Sequence, residues 1–162
     1  MISVAVLTLS DKGSRGERED LGGPLIIDIM KGIGASVSIY EVIPDERDIL
    51  RERLIDYSAK VDLILTTGGT GLSPRDITPD VTLGVIDRQV PGIAEAMRLE
   101  GLRKTKRAML SRAVAGVRGS SLIINLPGSP KAIREGLGAI LDVIPHAVEK
   151  IKGSAEDCAV KE

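Results

Sequence analysis

A short run of apolar and β-branched residues, Leu63–Thr67, leads directly into a glycine-rich loop and then into a helix start. A run of this kind is typical of a strand buried on both faces, as in a parallel sheet. The loop opens with Gly68-Gly69-Thr70-Gly71, and glycines let a backbone turn sharply and approach a ligand closely. We expect Thr78 to cap the next helix, with Pro79 in its first position and Asp80 in its first turn.

Strand-like and helical patterns alternate along the rest of the chain. The predicted strands are 2–9, 36–42, 63–67, 113–117 and 121–126, and the predicted helices are 24–33, 49–59, 82–90, 93–103 and 133–151, the last broken near Pro145. This alternation predicts an α/β fold, a three-layer αβα arrangement with a mostly parallel central sheet and helices on both faces. Residues 118–120 are expected to turn a hairpin that adds an antiparallel strand near the C-terminal end.

Length and composition indicate one domain without a strongly charged surface. The 162 residues are 43% hydrophobic, which is enough to bury a core; we assign 1–152 to the domain and 153–162 to a polar, flexible tail. A net charge of −1 argues against a polybasic surface. With no Trp or Phe and only two Tyr, the chain lacks a stacking platform for single-stranded nucleic acid, so no nucleic-acid partner is expected.

The single cysteine and the N-terminus predict a cytoplasmic protein. Cys158 has no partner for an internal disulfide, which fits a reducing compartment. The N-terminus lacks the basic region of a signal peptide, and no apolar run is long enough to span a bilayer, so no membrane partner is expected. With His146 as the only histidine, a zinc site or a Cys–His nucleophile has almost no support.

Polar segments follow four of the predicted strands. They are Ser10-Asp11, Pro44-Asp45, Gly68-Gly69 and Pro127-Gly128. Because ligands of open α/β sheets bind at the carboxyl ends of the strands, these segments are expected to build one site. The long polar loop that follows the first strand is either part of this site or a mobile surface excursion.

Two aspartates stand just beyond strand ends and suggest a metal. Asp45 and Asp76 would repel each other across one cavity unless a cation lay between them, which predicts bound Mg²⁺. The alternative for Asp45 is an N-cap of the next helix. For Asp80 the helix-start role is preferred.

Several other residues suggest contacts to an anion. N–H groups of the glycine loop suit phosphate oxygens, and Arg75 either neutralises phosphate or is an ordinary solvated side chain. Ser129 is expected to cap a helix that begins with Pro130, and an anion at that helix end is a hypothesis. The basic stretch 98–112 is either a solvated face or the wall of an anionic pocket in which Ser111 donates a hydrogen bond.

Taken together, these segments resemble the molybdopterin-binding domain family, most closely its adenylyltransferases, which include the plant enzyme's domain and the amino-terminal domain of gephyrin. The resemblance covers residues 2 to about 150. The matching blocks are Thr8-Leu9-Ser10-Asp11, Asp20 with Gly22-Gly23-Pro24, Pro44-Asp45-Glu46, 66–80, Pro91-Gly92, Met109-Leu110-Ser111-Arg112 and 118–130.

The resemblance implies transfer of AMP from MgATP to molybdopterin with release of pyrophosphate. It places the essential carboxylates at Asp45 and Asp76 and a substrate-binding serine at Ser111. It assigns ligand-binding surface to the glycine loop and to residues 125–130. It also implies a trimer, with a hexamer as the alternative, and a downstream enzyme that inserts molybdate or tungstate. The alternatives are a molybdopterin-binding protein with little or no activity, acting as a carrier or scaffold, and a generic nucleotide-binding domain.

Overall fold

A computed structural model describes residues 1–153. Its centre is one six-stranded sheet, in the order β2-β1-β3-β6-β5-β4. The strands β1, β2, β3 and β6 are mutually parallel, whereas β5 runs antiparallel to both β6 and β4. The strand bounds are Ser3–Leu9 (β1), Ser36–Ile43 (β2), Leu63–Thr67 (β3), Arg88–Gln89 (β4), Ala115–Arg118 (β5) and Ser121–Leu126 (β6).

The described residues form seven α-helices, of which the last two follow the final strand. They are Asp11–Ser14 (α1), Gly22–Gly32 (α2), Arg47–Ser58 (α3), Thr78–Leu83 (α4), Pro91–Leu102 (α5), Pro130–Ile140 (α6) and Ile144–Ile151 (α7). Two 3-10 turns, Lys106–Leu110 and Leu141–Val143, follow α5 and α6. None of these helices is long and apolar enough to cross a membrane.

The sheet is covered on both faces, and its side chains alternate between two apolar cores. Val4 and Val6 of β1 belong to a core with Met30 of α2 and Leu137 of α6. Their neighbours in β1 point the other way, and this second core includes Leu50 and Leu54 of α3 and Val81 of α4. Period-two alternation between two buried layers explains why the central strands are apolar at nearly every position. The predicted three-layer αβα fold is therefore confirmed, as is the hairpin between β5 and β6.

The helix predicted over 82–90 is wrong in most of its length. Helix α4 ends at Leu83, with Gly84 as its C-cap, and Arg88–Gln89 forms the edge strand β4. These two residues pair with Val117 and Gly116 of β5. The pairing depends on a distant strand, and such tertiary contacts override a local helical pattern.

The predicted N-cap at Thr78 is also wrong, by one position. Ile77 precedes the first helical residue and makes no side-chain cap, while Thr78 is the first residue of α4. Its hydroxyl instead donates to the carbonyl of Gly68 at 2.9 Å. The other predicted cap is confirmed, because the Ser129 hydroxyl accepts from the amide of Ala132 and α6 begins at Pro130. The predicted tail falls outside the described residues except for Gly153, and Cys158 lies outside them.

Candidate ligand-binding site

A cleft of about 320 Å³, called the main cleft here because it adjoins three parallel strands, lies at the carboxyl ends of β1, β3 and β6. It brings together four residues that the sequence singles out, Ser10, Gly68, Gly128 and Ser129. Residues 18–22 complete one wall, so the long loop after β1 is part of the cleft and not a surface excursion. The Ser10 hydroxyl caps α1 by accepting from the amide of Gly13 at 2.9 Å.

Asp20 is a cleft residue that site reasoning from the sequence missed. Its carboxylate accepts from the hydroxyls of Thr8 and Tyr40, each at 2.7 Å, and from the amides of Gly22 and Gly23. Burial opposes ionisation, but these hydrogen bonds keep the pKa of Asp20 below its usual range. The available signal was an aspartate two residues before Gly22-Gly23. This pattern is typical of a carboxylate that accepts hydrogen bonds from the amides at a helix N-terminus.

The glycine loop borders the main cleft and adopts a conformation that needs glycine. Gly68 has φ of 96° and Gly69 has φ of 65°. A Cβ at Gly69 would collide with the Thr78 hydroxyl and lie 3.3 Å from Asp45 Oδ1. A Cβ at Gly71 would lie 2.8 Å from Asp76 Oδ2. The two predicted catalytic carboxylates, Asp45 and Asp76, therefore pack closely against this loop.

An acidic cavity of about 540 Å³ lies beside the loop and is lined by residues 45–49, 74, 75 and 77. Asp45 Oδ2 accepts from the amide of Asp11 at 3.1 Å, and Asp11 Oδ1 accepts from the amide of Asp45 at 3.0 Å. The Arg75 guanidinium contacts Asp11 at 2.8 Å and Glu46 at 3.0 Å. Arg75 is thus ion-paired within the site, while its side chain stays 54% exposed and therefore solvated as well.

The pKa values of Asp45 and Asp11 shift in opposite directions. Burial, together with the negative charges of Asp11 and Asp76, raises the pKa of Asp45, although the Asp11 amide and Arg75 oppose the shift. Hydrogen bonds from Arg75 lower the pKa of Asp11. Asp45 does not cap α3, because its carboxylate is committed to Asp11 and the residue before α3 is Glu46. The N-cap alternative is therefore wrong.

The donor set of this region fits Mg²⁺ that arrives with a phosphorylated substrate. Asp76 accepts from the amide of Ser73, and its charge is close enough to Asp45 to disfavour ionisation there. Among residues 1–153 no three His, Cys, Asp or Glu side chains are grouped to hold a metal alone. Mg²⁺ is commonly bound by one or two carboxylates plus substrate phosphates, so two acidic side chains suffice.

Two of the six basic residues in the stretch 98–112, Arg98 and Arg112, hold backbone in place. The other four are exposed, as on a solvated face: Arg103, Lys104, Lys106 and Arg107. Arg112 donates to the carbonyls of Gly71 and Asp76 and forms an ion pair with Asp80 at 3.0 Å. Its own amide donates to the carbonyl of Thr70 at 2.9 Å, so Arg112 fixes both ends of the segment from Thr70 to Asp80. Arg98 likewise donates to the carbonyl of Ala113 at 2.8 Å.

Ser111 lies apart from the main cleft. It lines a smaller apolar pocket of about 80 Å³ between α5 and α6, together with Arg98 and Pro127. Pro127 faces this pocket, whereas Gly128 and Ser129 face the main cleft. The segment 127–129 therefore separates two cavities, and the residues expected at one site are distributed over these two and the acidic cavity.

The fold and the site define a class of protein. A glycine loop with paired carboxylates at the carboxyl edge of a mostly parallel sheet is typical of α/β domains that bind phosphorylated small molecules. Residues 5–146 match the family model described as a probable molybdopterin binding domain. The chain belongs to this family.

Similar proteins cover nearly the whole chain. A molybdopterin adenylyltransferase from Helicobacter pylori is 43% identical over 157 residues, 94% of this chain and 89% of the relative. Gephyrin from Dictyostelium discoideum is 46% identical over 90% of this chain, which is 22% of gephyrin. The crystal structure of the molybdopterin biosynthesis enzyme MoaB from Thermus thermophilus is 52% identical, with a TM-score of 0.89 over 95% of this chain and 98% of that one.

Proposed function

We propose that this protein is a molybdopterin adenylyltransferase of molybdenum cofactor biosynthesis. One observation carries the proposal: Asp45 and Asp76 flank the glycine loop at the sheet edge, in a chain 43% identical to an enzyme of that name. An oxygen of the molybdopterin phosphate would bond to the α-phosphorus of ATP. The bond from the α-phosphorus to the oxygen that bridges the α- and β-phosphates would break. Pyrophosphate would leave with that electron pair.

In this proposal the protein acts by positioning and by neutralising charge. Phosphoryl-type transfers need little covalent participation from the enzyme, so no nucleophilic side chain is required. Amides of the glycine loop would bind phosphate oxygens, with Ser10, Gly128 and Ser129 contributing the facing wall of the cleft. Asp11 would act mainly by holding Asp45 and Arg75 in place.

Asp45 and Asp76 are the residues that would hold Mg²⁺ together with the ATP phosphates. When bound, the ion supplies positive charge that stabilises the triphosphate and the leaving pyrophosphate. The pKa of Asp45 is raised mainly by burial, and the charges of Asp11 and Asp76 add to the shift. A cation between these carboxylates would relieve that repulsion.

Ser111 and its apolar pocket suit the pterin better than the triphosphate. The pocket is lined mainly by small apolar side chains, among them Ala94, Ala108 and Ala113, with Arg98, Ser111 and Glu135 as polar groups. A flat heterocycle needs apolar walls and a few hydrogen-bonding groups. The neighbouring segment 127–129 would then separate pterin from nucleotide.

We further propose a homotrimer, with a hexamer as the alternative, and a molybdate- or tungstate-inserting enzyme as the next partner. Support for self-association comes from a patch of exposed apolar side chains on α5 and the turn after it. These are Leu99, Leu102, Met109 and Leu110, with exposures of 63%, 39%, 60% and 50%. Apolar patches of this kind commonly mark protein interfaces.

The test is transfer of AMP from α-labelled ATP to freshly released molybdopterin with Mg²⁺. We expect labelled adenylylated molybdopterin and stoichiometric pyrophosphate, both dependent on molybdopterin. If molybdopterin binds but no label is transferred, the protein is a carrier or scaffold. If ATP binds and molybdopterin does not, the generic nucleotide-binding alternative holds.

A further inference from the structure

We propose that Thr78 is a positioning residue that aims the amides of Gly69 and Thr70 at a phosphate group of the substrate. A buried hydrogen-bond network behind it, formed by Thr82 and Asn125, holds it in place. The inference rests on the proposed function, because it assigns the phosphate-binding amides of that same site.

Thr78 binds two consecutive carbonyls of the glycine loop. Its hydroxyl donates to the carbonyl of Gly68 at 2.9 Å, and its amide donates to the carbonyl of Gly69 at 3.1 Å. In a trans peptide the N–H points opposite to the C=O of the same peptide group. The amides of Gly69 and Thr70 therefore both point away from Thr78. Within residues 1–153 neither amide donates to another group of the chain.

Consecutive amides that point in one direction form a concave site for an anion. The positive φ values of Gly68 and Gly69 allow this arrangement, and the adjacent Asp45 and Asp76 would bring a cation to the same place. An anion bound there would be a phosphate that shares the metal. The nearby carboxylates would repel a bare phosphate, so the phosphate is expected as its Mg²⁺ complex.

The support behind Thr78 is fully buried. The Thr82 hydroxyl donates to the carbonyl of Thr78 at 2.8 Å, and Asn125 Nδ2 donates to the Thr82 hydroxyl at 3.0 Å. Thr78, Thr82 and Asn125 are each 0% exposed. Buried polar networks with satisfied partners are rigid, since each lost hydrogen bond leaves a costly unpaired group. The network thus connects β6 to the glycine loop through α4.

The same network contains its own control. Asn125 Nδ2 also donates to the hydroxyl of Thr66 at 3.0 Å, and Thr66 is 0% exposed but makes no contact with the loop carbonyls. Thr66→Val and Thr78→Val each remove one buried hydroxyl with almost no change in shape. Only Thr78→Val releases the peptide group between Gly68 and Gly69.

The experiment compares Thr78→Val, Thr78→Ser and Thr66→Val in AMP transfer and in binding of magnesium pyrophosphate. We expect Thr78→Val to lower kcat/KM for ATP by about 10²-fold, as for a misplaced catalytic geometry, while Thr78→Ser recovers to within about threefold. Thr66→Val should match Thr78→Val in its loss of urea resistance yet keep wild-type affinity for magnesium pyrophosphate. Equal losses of kcat/KM and of magnesium pyrophosphate affinity in Thr66→Val and Thr78→Val would overturn the inference.

A second readout separates this inference from the proposed reaction. In ¹H–¹⁵N spectra of the wild-type protein, magnesium pyrophosphate should shift the amide resonances of Gly69 and Thr70, and in Thr78→Val these shifts should need at least about tenfold more ligand. This result is independent of molybdopterin, so it survives if no AMP is transferred. Amides of Gly69 and Thr70 that do not respond to magnesium pyrophosphate would refute the role of Thr78.

Discussion

Asp11 and Asp45 hold each other through reciprocal hydrogen bonds. Each backbone amide donates to the other residue's carboxylate, at 3.1 Å and 3.0 Å. This pairing fastens the loop after β1 to the loop after β2, although two carboxylates at such close range repel each other. Arg75 offsets the repulsion by its ion pair with Asp11 at 2.8 Å. Three loops that carry little regular structure are thereby fixed around one acidic cavity.

Arg75→Gln should shift the acid limb of activity to higher pH. Arg75 lowers the pKa of Asp11 and also opposes the raised pKa of Asp45, so both pKa values should rise when its charge is removed. Stability should change by less than about 1 kcal/mol, because Arg75 is 54% exposed and exposed ion pairs contribute little. The check is the pH dependence of kcat/KM for AMP transfer; an unchanged acid limb would contradict this electrostatic role.

Asp45→Asn should stabilise the fold at neutral pH while it lowers the rate of AMP transfer by roughly 10²-fold or more. The pKa of Asp45 is raised in the folded state, so its ionised form is less favourable there than in the unfolded chain, whose reference value is 3.8. Wild type therefore loses stability as pH rises through the folded-state pKa. Asparagine can still accept from the Asp11 amide. Urea unfolding should show a higher free energy of unfolding for Asp45→Asn than for wild type at pH 7. This difference should disappear below about pH 3.8.

Gly69→Ala should destabilise the protein and impair phosphate binding. At φ of 65° an L-residue costs roughly 1–2 kcal/mol, and the added Cβ would collide with the Thr78 hydroxyl. The matched control is Gly138→Ala in α6, where a Cβ meets no atom within 4 Å. That change should stabilise by about 0.5–1 kcal/mol, since alanine is the better helix former. If Gly69→Ala left the free energy of unfolding unchanged, the loop would have another conformation in solution.

Thr8→Val should destabilise the fold in a pH-dependent way. The Thr8 hydroxyl donates to Asp20 at 2.7 Å, and a hydrogen bond to a charged group contributes roughly 1.5–3 kcal/mol. The pKa of Asp20 is lowered in the folded state, so this stabilisation is present above the unfolded value and is lost as pH falls through the folded pKa. Unfolding free energies of wild type and Thr8→Val should therefore converge in acid; a constant difference would contradict the charge dependence.

The strand pattern could be predicted from the sequence because the central strands are buried on both faces. Leu63–Thr67 is found with its predicted bounds, and Ser129 caps α6 as its position before Pro130 indicates. Strand β4 could not be predicted, since two exposed residues carry no pattern and are ordered by pairing with β5. Thr78 resembles an N-cap in sequence, but the loop's carbonyl groups compete for its hydroxyl.

The candidate site was predictable at the level of loops but not of contacts. Polar segments after four strands do meet at the carboxyl edge, because parallel strands bring those ends together. The sequence could not show that Arg75 pairs with Asp11, residues 64 positions apart, nor that Ser111 opens onto a separate pocket. Both depend on how side chains pack after the sheet has formed. The catalytic and metal-binding roles of Asp45 and Asp76 stay predictions.

The most direct test of the account is molybdopterin-dependent release of pyrophosphate from MgATP by Asp45→Asn and Asp76→Asn. Asp28→Asn, which makes the same charge change on an exposed position of α2, serves as the control. We predict that both site variants stay folded and lose roughly 10²-fold or more in rate, while Asp28→Asn keeps the wild-type rate. Wild-type turnover in a folded Asp76→Asn protein would contradict the account.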